Sequence, residues 1–529
     1  MKIKQCLLFV IIVAIMLFSC KNDVDNEEKA IAYLKISDDY LSITPVETNL
    51  EVPWDIDSSL PDKLWFTEQN GTVYLKDLIT DSTKKMYKVP DVIYKKSYGL
   101  LGMAVHPLEP YIFLHYTFTK DTVTIQSRLV RYTYDSDTLK ESKILINNIS
   151  GNTYHNGSRL VISPDGKLIF SMGEVGDTPN AQNDSVITGK ILRLNIDGTV
   201  PKDNPIKDSY IYTRGHRNPQ GLAFSDKTIL YSSEHGPNND DEINLIVANK
   251  NYGWSDAQGF CDTESEQEYC ATHNITEPLK AWTPTIAVAG LAFYNNDKIP
   301  EWQNSLLLAN LKGRALRVLK LSANGQHISD EHIYLQKKFG RIRDVAVAPK
   351  GDIYFATSNR DWHPRFQPWM YDSVPEGPDK IYRIRAMPKD EELDPKLAIY
   401  EEDKEPLKLE SENWNPDLED EFVSGGKLYA NNCMSCHGPN GQGSEDLIPP
   451  LSGTDWVTGV KGKLIRTVLT GLSYPIEVNG KKYNQEMPSY SQLTDQEIAD
   501  ILTYIRGSFD NETSGIIMGE VFEERKSIK

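Results

Sequence analysis

The chain has 529 residues, 39% of them hydrophobic, and carries 57 basic against 75 acidic side chains, for a formal net charge of −18. This length exceeds what one ordinary hydrophobic core supports, so two or three domains are expected. The 27 tyrosines and 9 tryptophans favour aromatic-rich folded cores over disorder. The acidic balance, with no tract rich in lysine and arginine, argues against nucleic acid as a partner.

The first twenty residues have the pattern of an export signal. Lys2 and Lys4 precede an apolar run over 6–18 that is too short to span a bilayer. The segment that ends at Cys20 resembles a bacterial lipoprotein signal, in which the cysteine is lipidated and becomes the mature N-terminus; a plain secretory signal is the alternative. We expect a lipid anchor in a bacterial membrane, with the outer membrane favoured, and a body that faces the periplasm or the cell surface.

A turn-and-strand pattern recurs through the first two thirds of the chain. In four segments a turn of Pro, Asp, Gly or Lys leads into a β-branched or aromatic strand: 60–67, 163–171, 224–232 and 348–357. Repeated hairpins over roughly 350 residues, with almost no helical periodicity, predict a β-propeller, and about 58 residues per blade gives six blades. A pair of β-sandwiches is the alternative, but it would not repeat one turn motif so widely.

The composition changes after the propeller. An acidic stretch with prolines and few apolar residues indicates a linker. Beyond it, Thr494 and Glu497 form a capping-box pattern at the start of an apolar helix face. The predicted fold class is an all-β six-bladed propeller followed by a small all-α domain. The predicted segments are a signal peptide (1–19), a tether with the first strand region (20–47), the propeller (48–386), an acidic linker (387–418), the helical domain (419–510) and a C-terminal tail (511–529).

Cys433, Cys436 and His437 form the pattern Cys-x-x-Cys-His, whose spacing is fixed by chemistry. Two thiols bond the vinyl groups of a haem, and the imidazole becomes an iron ligand. A zinc or redox site is disfavoured because no second Cys/His pair accompanies the motif. The motif and its flanks resemble the class I cytochrome c family over 421–508. The resemblance implies Met487 as second axial ligand, hence electron transfer; core filler is the alternative for this methionine.

Two further cysteines remain once the signal, lipid and haem positions are set aside. Cys261 and Cys270 have eight residues between them, and an oxidising compartment permits them to pair. Two free thiols are the alternative. Haem attachment outside the cytoplasm agrees with export.

Polar clusters lie at predicted strand ends, where propellers carry their sites. They are 154–160, 215–222, 234–244, 251–254, 311–314 and 341–345. In this order they resemble the soluble PQQ-dependent glucose/sorbosone (aldose sugar) dehydrogenase family over 48–386. The resemblance implies a six-bladed propeller that binds pyrroloquinoline quinone (PQQ) and calcium.

The resemblance also assigns roles to single residues. The implied PQQ ligands are Arg217, Asn218, Lys312, Arg341 and Arg343. Fixed cations suit this tricarboxylate, and Arg suits planar carboxylates. The implied calcium ligands are the carbonyls of Gly236 and Pro237, because calcium prefers oxygen. His155 is the implied base, since a neutral imidazole can take the proton of an anomeric hydroxyl as hydride leaves the carbon.

Several residues near the implied ligands have two possible roles. Asp240 and Asp241, with Glu242 and Tyr252, either hold a second, structural calcium or form a capped turn. His216 is expected to orient Arg217 or its loop. Trp282 either walls the sugar site or packs within a blade.

Three positions depart from the glucose-oxidising relatives. Tyr154 replaces an acidic residue that could orient the base, Ser97 and Tyr98 replace a polar amide, and His235 replaces an amide side chain. These departures leave the identity of the sugar open.

The sequence as a whole predicts a quinohaemoprotein. A sugar or related alcohol is oxidised at PQQ, and haem c passes single electrons to an external acceptor, a cytochrome or another redox carrier. The first alternative is a propeller without catalysis that binds a glycan or a protein. The second is the eight-bladed quinoprotein alcohol dehydrogenase type with a fused cytochrome. It is disfavoured because a vicinal Cys-Cys pair and regular Trp-docking repeats are absent.

Overall fold

The computed structural model describes residues 29–37, 39–95, 97–120, 124–237, 239–361, 377–388, 393–399, 418–444, 447–509, 511, 513 and 515–528. The expected signal peptide with Cys20, and most of the expected linker, lie outside these ranges. In the described part of the chain, no helix is both long enough and apolar enough to cross a membrane.

The described chain enters the propeller through two antiparallel strands, β1 (Ala32–Ile36) and β2 (Asp39–Leu50). Blade 1 follows with β3 (Pro53–Asp57), β4 (Lys63–Glu68), β5 (Thr72–Asp77) and β6 (Ser82–Lys88). Blade 2 consists of β7 (Leu100–Val105), β8 (Tyr111–Thr119), β9 (Ile125–Tyr134) and β10 (Leu139–Ser150). Blade 3 consists of β11 (Leu160–Ile162), β12 (Lys167–Met172), β13 (Lys190–Asn195) and β14 (Ile211–Arg214).

Blades 4 and 5 repeat the same antiparallel meander. Blade 4 consists of β15 (Pro219–Phe224), β16 (Leu230–Glu234), β17 (Asp241–Ile246) and β18 (Lys280–Trp282), with helix α1 (Glu264–His273) between its last two strands. Blade 5 consists of β19 (Val288–Tyr294), β20 (Ser305–Asn310), β21 (Ala315–Leu321) and β22 (Ile328–Tyr334). Short 3-10 turns lie at Thr178–Ala181, Pro300–Trp302 and Pro395–Leu397.

Blade 6 closes the ring with strands from both ends of the propeller. Its strands are β23 (Ile342–Val347), β24 (Ile353–Thr357) and β25 (Asp379–Ala386). The N-terminal β2 pairs with β25 as the fourth strand, and β1 and β26 (Ala398–Ile399) extend the sheet further. The propeller sheets therefore include strands on both sides of the expected boundaries at 48 and 386. The predicted six-bladed propeller is confirmed, and the two-sandwich and eight-bladed alternatives are excluded.

The predicted turn repeat is the hairpin between the first two strands of a blade. In blade 3 Ser163 N–H donates to the Lys167 carbonyl over 2.8 Å, and Gly166 takes φ +72° in the turn. In blade 6 Ala348 N–H donates to the Asp352 carbonyl, also over 2.8 Å. Both turns join the channel-side strand to the next one, so the repeat marks the same place in each blade.

Hydrophobic side chains fill the spaces between neighbouring blades. One cluster of buried residues lies between each adjacent pair, including the pair formed by blades 6 and 1. The strands supply these clusters because they are rich in branched and aromatic residues, as in β12, which reads Lys-Leu-Ile-Phe-Ser-Met and is buried from Leu168 onward. Burial of this apolar surface is the main stabilisation of the ring.

Polar side chains tie the first strands together around the channel. Arg159 Nη1 lies 2.9 Å from Asp55 and 2.8 Å from Asp344, which belong to the first strands of blades 1 and 6. Asp55 also accepts the Met103 N–H of blade 2 at 2.9 Å. Burial raises the pKa of both carboxyl groups, and Arg159 opposes that shift.

The C-terminal part is helical, as predicted for the small second domain. Its elements are α2 (Leu418–Asn432), α3 (Met434–His437), α4 (Asp455–Thr458), α5 (Lys461–Thr470), the hairpin of β27 (Ile476–Val478) and β28 (Lys481–Tyr483), α6 (Asp495–Arg506) and α7 (Met518–Ile528). Helix α6 begins at the predicted capping box of Thr494 and Glu497. Gly425 of α2 lets the helix approach α6 closely, because a Cβ there would meet the Asp500 carbonyl oxygen at 2.0 Å.

The expected C-terminal tail contains a docked helix, α7. Val521 is buried in the helical core, and Lys461 of α5 lies 3.0 Å from Glu520. Arg525 lies 2.6 Å from Asp495 at the start of α6. The short hairpin of β27 and β28 is the other feature that the all-α prediction missed.

Candidate functional site

The His155 ring contacts a carboxylate from the loop that follows β12. Its Nδ1 lies 2.6 Å from Glu174 Oε1, and both side chains are buried. His155 has a φ of +55°, which places a non-glycine residue in the left-handed region. Gly173 permits this loop to approach β12, because a Cβ on it would meet the His155 carbonyl oxygen at 2.0 Å. The backbone thus presents the imidazole and its carboxylate as one unit.

Arg217 is positioned by a second pair of histidine and glutamate. Glu234 accepts the Arg217 N–H and also lies 2.9 Å from His216 Nδ1. His216 Nε2 is 2.8 Å from the Thr213 hydroxyl, so both ring nitrogens have partners. The expected role of His216 in orienting the Arg217 loop matches this arrangement. Burial lowers the pKa of the Arg217 guanidinium, which nearby carboxylates oppose.

Lys312 lies between β20 and β21 of blade 5, and Asp241 is the first residue of β17 in blade 4. Lys312 Nζ is 3.2 Å from the Thr285 hydroxyl, and burial lowers its pKa to about 8 against the opposing charge of Asp241. Asp241 accepts the Gly236 N–H at 2.9 Å and the Ile286 N–H at 2.6 Å. Burial raises the pKa of Asp241 to about 6. This carboxylate therefore links the Lys312 region to the turn at Gly236.

Arg341 and Arg343 share one carboxylate. Asp361 lies 2.8 Å from Arg341 Nη2, and its other oxygen contacts Arg343 Nη2. The Arg343 guanidinium lies 3.8 Å from the ring centre of Trp54. All four of these side chains are buried. The two guanidinium groups therefore lie in an interior from which water is largely excluded.

Hydrogen bonds join these groups into one site. Asn218 Oδ1 accepts the Gly157 N–H at 3.1 Å, which ties the loop after His155 to that of Arg217. Arg217 Nη1 donates to the His235 and Gly236 carbonyls over 3.2 and 3.1 Å. The structure thus brings the predicted base and several predicted PQQ ligands to the same end of the channel.

The buried cations fit the chemistry of PQQ. Arg217, Lys312, Arg341 and Arg343 are buried donors, and a planar tricarboxylate offers acceptors that guanidinium and ammonium groups bind well. Asn218 lies beside them with a side-chain amide that can donate. The residues present therefore suit an anionic, planar ligand.

The predicted calcium ligands form a tight turn. Gly236 must be glycine, because a Cβ there would meet the Asn239 carbonyl oxygen at 1.8 Å. Its carbonyl accepts from Arg217 and keeps a second lone pair. Pro237 follows it and lines a small cavity together with Arg217 and Trp254. Two adjacent carbonyls at a cavity edge can contribute to an oxygen-coordinated cation.

The residues of the possible second calcium site have protein partners. Glu242 accepts from Asn244 at 2.8 Å and from the Gly259 N–H at 2.7 Å, and burial raises its pKa to about 8. The Tyr252 hydroxyl donates to the Leu245 carbonyl at 2.7 Å. Among the described residues, no group of three or more His, Cys, Asp or Glu has the arrangement of a metal site. The capped turn accounts for these contacts, and the second calcium stays a prediction.

The structure gives contacts for four residues whose roles the sequence left open. Tyr154 lies edge-on against the His155 ring, with ring centres 4.8 Å apart. Ser97 donates to the Thr153 carbonyl at 2.7 Å and so braces this loop. Trp282 donates to Glu331 at 3.1 Å within a hydrophobic cluster, which supports blade packing. Tyr98, through its carbonyl, accepts from Gln69 at 3.2 Å.

Sequence reasoning missed two carboxylates. Glu174 orients His155 from the end of β12, and Asp361 binds both arginines. Glu174 stands two residues after β12 and Asp361 four residues after β24, in Gly-Glu and Arg-Asp dipeptides. This position shortly after a buried strand was the available signal. Their partners are distant in sequence, so the pairing itself could not be read from the chain.

Cys261 and Cys270 form a disulfide, with an S–S distance of 2.00 Å. The bond connects the loop before α1 to the helix itself. It lies at the end of blade 4, whose Trp254 covers Arg217 at 5.2 Å. The pair therefore stabilises the loop region beside the site.

The helical domain contains an apolar cavity. It is lined by Cys433, Cys436, His437 and Met487 together with aliphatic side chains. His437 Nδ1 lies 3.1 Å from the Pro449 carbonyl, which leaves Nε2 as the nitrogen for a metal. The Met487 backbone is fixed by two hydrogen bonds of 2.9 Å with Leu472. The lining and the donor set fit a covalently attached haem.

Comparisons with known proteins agree with this geometry. Residues 50–363 match the family model for glucose/sorbosone dehydrogenase, and residues 422–508 match that for cytochrome c. The match to the first model covers more than half of the chain. A propeller of this kind, joined to a cytochrome c domain, defines an oxidoreductase. The chain belongs to the glucose/sorbosone dehydrogenase family.

Three relatives illustrate the similarity. Quinoprotein glucose dehydrogenase B of Acinetobacter calcoaceticus is 30% identical over 403 residues, covering 59% of this chain and 84% of that protein. The PQQ-bound aldose sugar dehydrogenase of Streptomyces coelicolor superposes with a TM-score of 0.56 at 29% identity, covering 66% of this chain and 98% of that structure. Cytochrome c-552 of Thermus thermophilus is 45% identical over 87 residues, covering 16% of this chain and 66% of that protein.

Proposed function

We propose that the chain oxidises a sugar or related alcohol at PQQ and passes the electrons through haem c to an external acceptor. The observation that carries this proposal is the His155–Glu174 pair, which lies with the buried cations at one end of the channel. The same chain carries the haem cavity. A dehydrogenase site and an electron carrier on one polypeptide fit a two-electron oxidation that is followed by single-electron transfer.

The residues themselves define the acid–base chemistry. Glu174 accepts the Nδ1–H of His155, which fixes the tautomer with Nε2 as the basic nitrogen. Nε2 can then take the proton of the substrate hydroxyl. When bound, PQQ supplies the acceptor for the hydride that leaves the substrate carbon bearing this hydroxyl. Arg217 and Lys312 place positive charge where negative charge develops during this transfer.

We further propose that calcium binds at the Gly236 and Pro237 carbonyls and reinforces this positive field. The tight turn and its position beside Arg217 support the proposal. Removal of calcium with a chelator should block reconstitution of the apo protein by PQQ, and added Ca²⁺ should restore it. Normal reconstitution in excess chelator would contradict the metal assignment.

The proposed function is tested by reconstitution. Apo protein is titrated with PQQ and Ca²⁺ and then screened with aldoses and simple alcohols in a dye-reduction assay. We expect at least one substrate to reduce the dye in proportion to bound PQQ. A protein that retains an immobilised glycan but reduces no dye at any PQQ concentration would instead be a binding module.

We also propose that the chain is exported and lipid-anchored at Cys20 to a bacterial membrane. The disulfide and the haem attachment motif support an oxidising compartment. Fatty-acid labelling in cells should mark the wild-type protein and not Cys20→Ser. Equal labelling of both would contradict the anchor.

A further inference from the structure

His235 belongs to the proposed site through its backbone. It lies between Glu234 and the turn at Gly236. Its N–H donates to the Asn218 carbonyl over 3.3 Å, and its own carbonyl accepts from Arg217 over 3.2 Å. His235 is therefore fixed to the two residues that the family resemblance places at the quinone.

The His235 ring carries a buried acceptor atom near the cations. The Val288 backbone hydrogen-bonds the ring, and Nε2 is buried without a hydrogen-bond partner. The ring N–H is therefore on Nδ1, and Nε2 carries a lone pair. The charges of Arg217 and Arg343 both act on this ring, so it lies near these two cations.

His235 Nε2 is a hydrogen-bond acceptor beside cations that are donors, so it prefers a different group on the ligand than they do. Arg217 and Arg343 donate hydrogen bonds, so they suit carbonyl and carboxylate oxygens. A buried lone pair without a partner costs free energy until a donor reaches it. Oxidised PQQ presents two quinone carbonyls, which are acceptors. Two-electron reduction converts both to hydroxyl groups, which are donors.

Resting on the proposed function, we propose that His235 Nε2 accepts a hydrogen bond from a hydroxyl of reduced PQQ and thereby favours the reduced over the oxidised form. The electron pair and one proton arrive as the hydride of the substrate carbon. The second proton is the one that leaves the substrate hydroxyl, so electrons and protons balance. His235 is thus a positioning residue for the redox balance and not the base.

The test measures the affinity for both forms of PQQ in the full-length chain. Trp54 and Trp254 lie over Arg343 and Arg217, so quenching of tryptophan fluorescence reports binding without turnover. Apo protein with Ca²⁺ is titrated anaerobically with oxidised and with chemically reduced PQQ. The variants are His235→Leu and His235→Gln.

We expect His235→Leu to weaken binding of reduced PQQ roughly five- to tenfold, with oxidised PQQ unchanged. His235→Gln should restore most of the loss, because its amide oxygen can accept the same hydrogen bond. As a control, His273→Leu on the exposed face of α1 should change neither affinity.

If His235→Leu lowered the affinity for oxidised and reduced PQQ equally, the hydrogen-bond partner of His235 Nε2 would be a donor present in both forms. That result would overturn the proposal. Unchanged affinities in that variant would overturn it too. If the wild-type chain binds neither form, the proposed function itself fails, and the role of His235 fails with it.

Discussion

The two redox regions of this chain are built in opposite ways. The propeller site is polar, with buried cations and carboxylates that come from loops of several blades. The haem cavity is apolar, and both cysteines and the histidine ligand come from one short segment. The first suits an anionic cofactor and proton transfer, and the second suits a bulky apolar group that exchanges single electrons.

This difference shows where each site is sensitive to change. In the polar site a single side chain controls charge or proton position, so its loss affects the chemistry while the blades remain packed. In the apolar cavity the covalent bonds hold the haem, so loss of an iron ligand changes the electronic state more than the binding. The predictions below separate these behaviours.

The largest effect is expected at the base. His155→Ala should lower turnover by roughly 10²–10⁴, the usual contribution of a general base, while PQQ affinity stays close to that of the wild type. Glu174→Gln should give a smaller fall, because the imidazole remains but its carboxylate does not. Steady-state rates with the best substrate and fluorescence titration with PQQ measure both. A turnover in His155→Ala equal to that of the wild type would remove this residue from the mechanism.

The next effect concerns cofactor affinity. Lys312→Ala should weaken PQQ binding roughly ten- to a hundredfold, as expected for loss of a charged hydrogen bond. Because burial lowers the pKa of Lys312 to about 8, its charge is present below that pH and is lost above it. Wild-type affinity should therefore fall as the pH rises through this range, whereas Lys312→Arg should keep it. Identical pH profiles for the two proteins would contradict the role of the ammonium.

The haem region should respond in its electronic state. Met487→Ala should keep haem covalently bound but open a coordination position and lower the reduction potential. Absorption spectra and a redox titration measure this change. Met518→Ala, at a half-exposed methionine of α7, is the matched control and should leave both unchanged. An unchanged spectrum and potential in Met487→Ala would refute the ligand assignment.

The smallest effect is expected at the disulfide. Removal of the bond with Cys261→Ser and Cys270→Ser should lower the free energy of unfolding by on the order of 2–3 kcal/mol, because the loop it closes is short. Thermal unfolding of the variant and of the reduced wild type should agree. Mass mapping that finds both thiols free in exported protein would contradict the pairing.

Much of the fold could be predicted from the sequence, because its signals are local. The repeated turn before a β-branched strand, as at Gly166 and Gly351, marks a hairpin without knowledge of the partner blades. The haem motif at Cys433 and the capping box at Thr494 are equally local. Closure of the ring by β2 could not be predicted in the same way, because it pairs the two ends of the propeller.

The propeller site could be predicted only in part, because its contacts join residues that are distant in the sequence. His155 and Arg217 were found because the family resemblance marks them. Glu174 and Asp361 were missed because a carboxylate gains its role from a partner that the fold brings close. Tyr154 was interpreted as the replacement for an orienting acid, whereas Glu174, in the loop after β12, is the acid that contacts His155.

The central claim is that electrons from a sugar reach the haem through the propeller site of the same chain. The most direct measurement is stopped-flow absorbance of the haem after anaerobic mixing of substrate with PQQ-loaded protein. We predict haem reduction in the wild type, a rate at least roughly 10² lower in His155→Ala, and full reduction of both by dithionite. Haem reduction by the sugar at the same rate without PQQ, or at the wild-type rate in His155→Ala, would contradict the account.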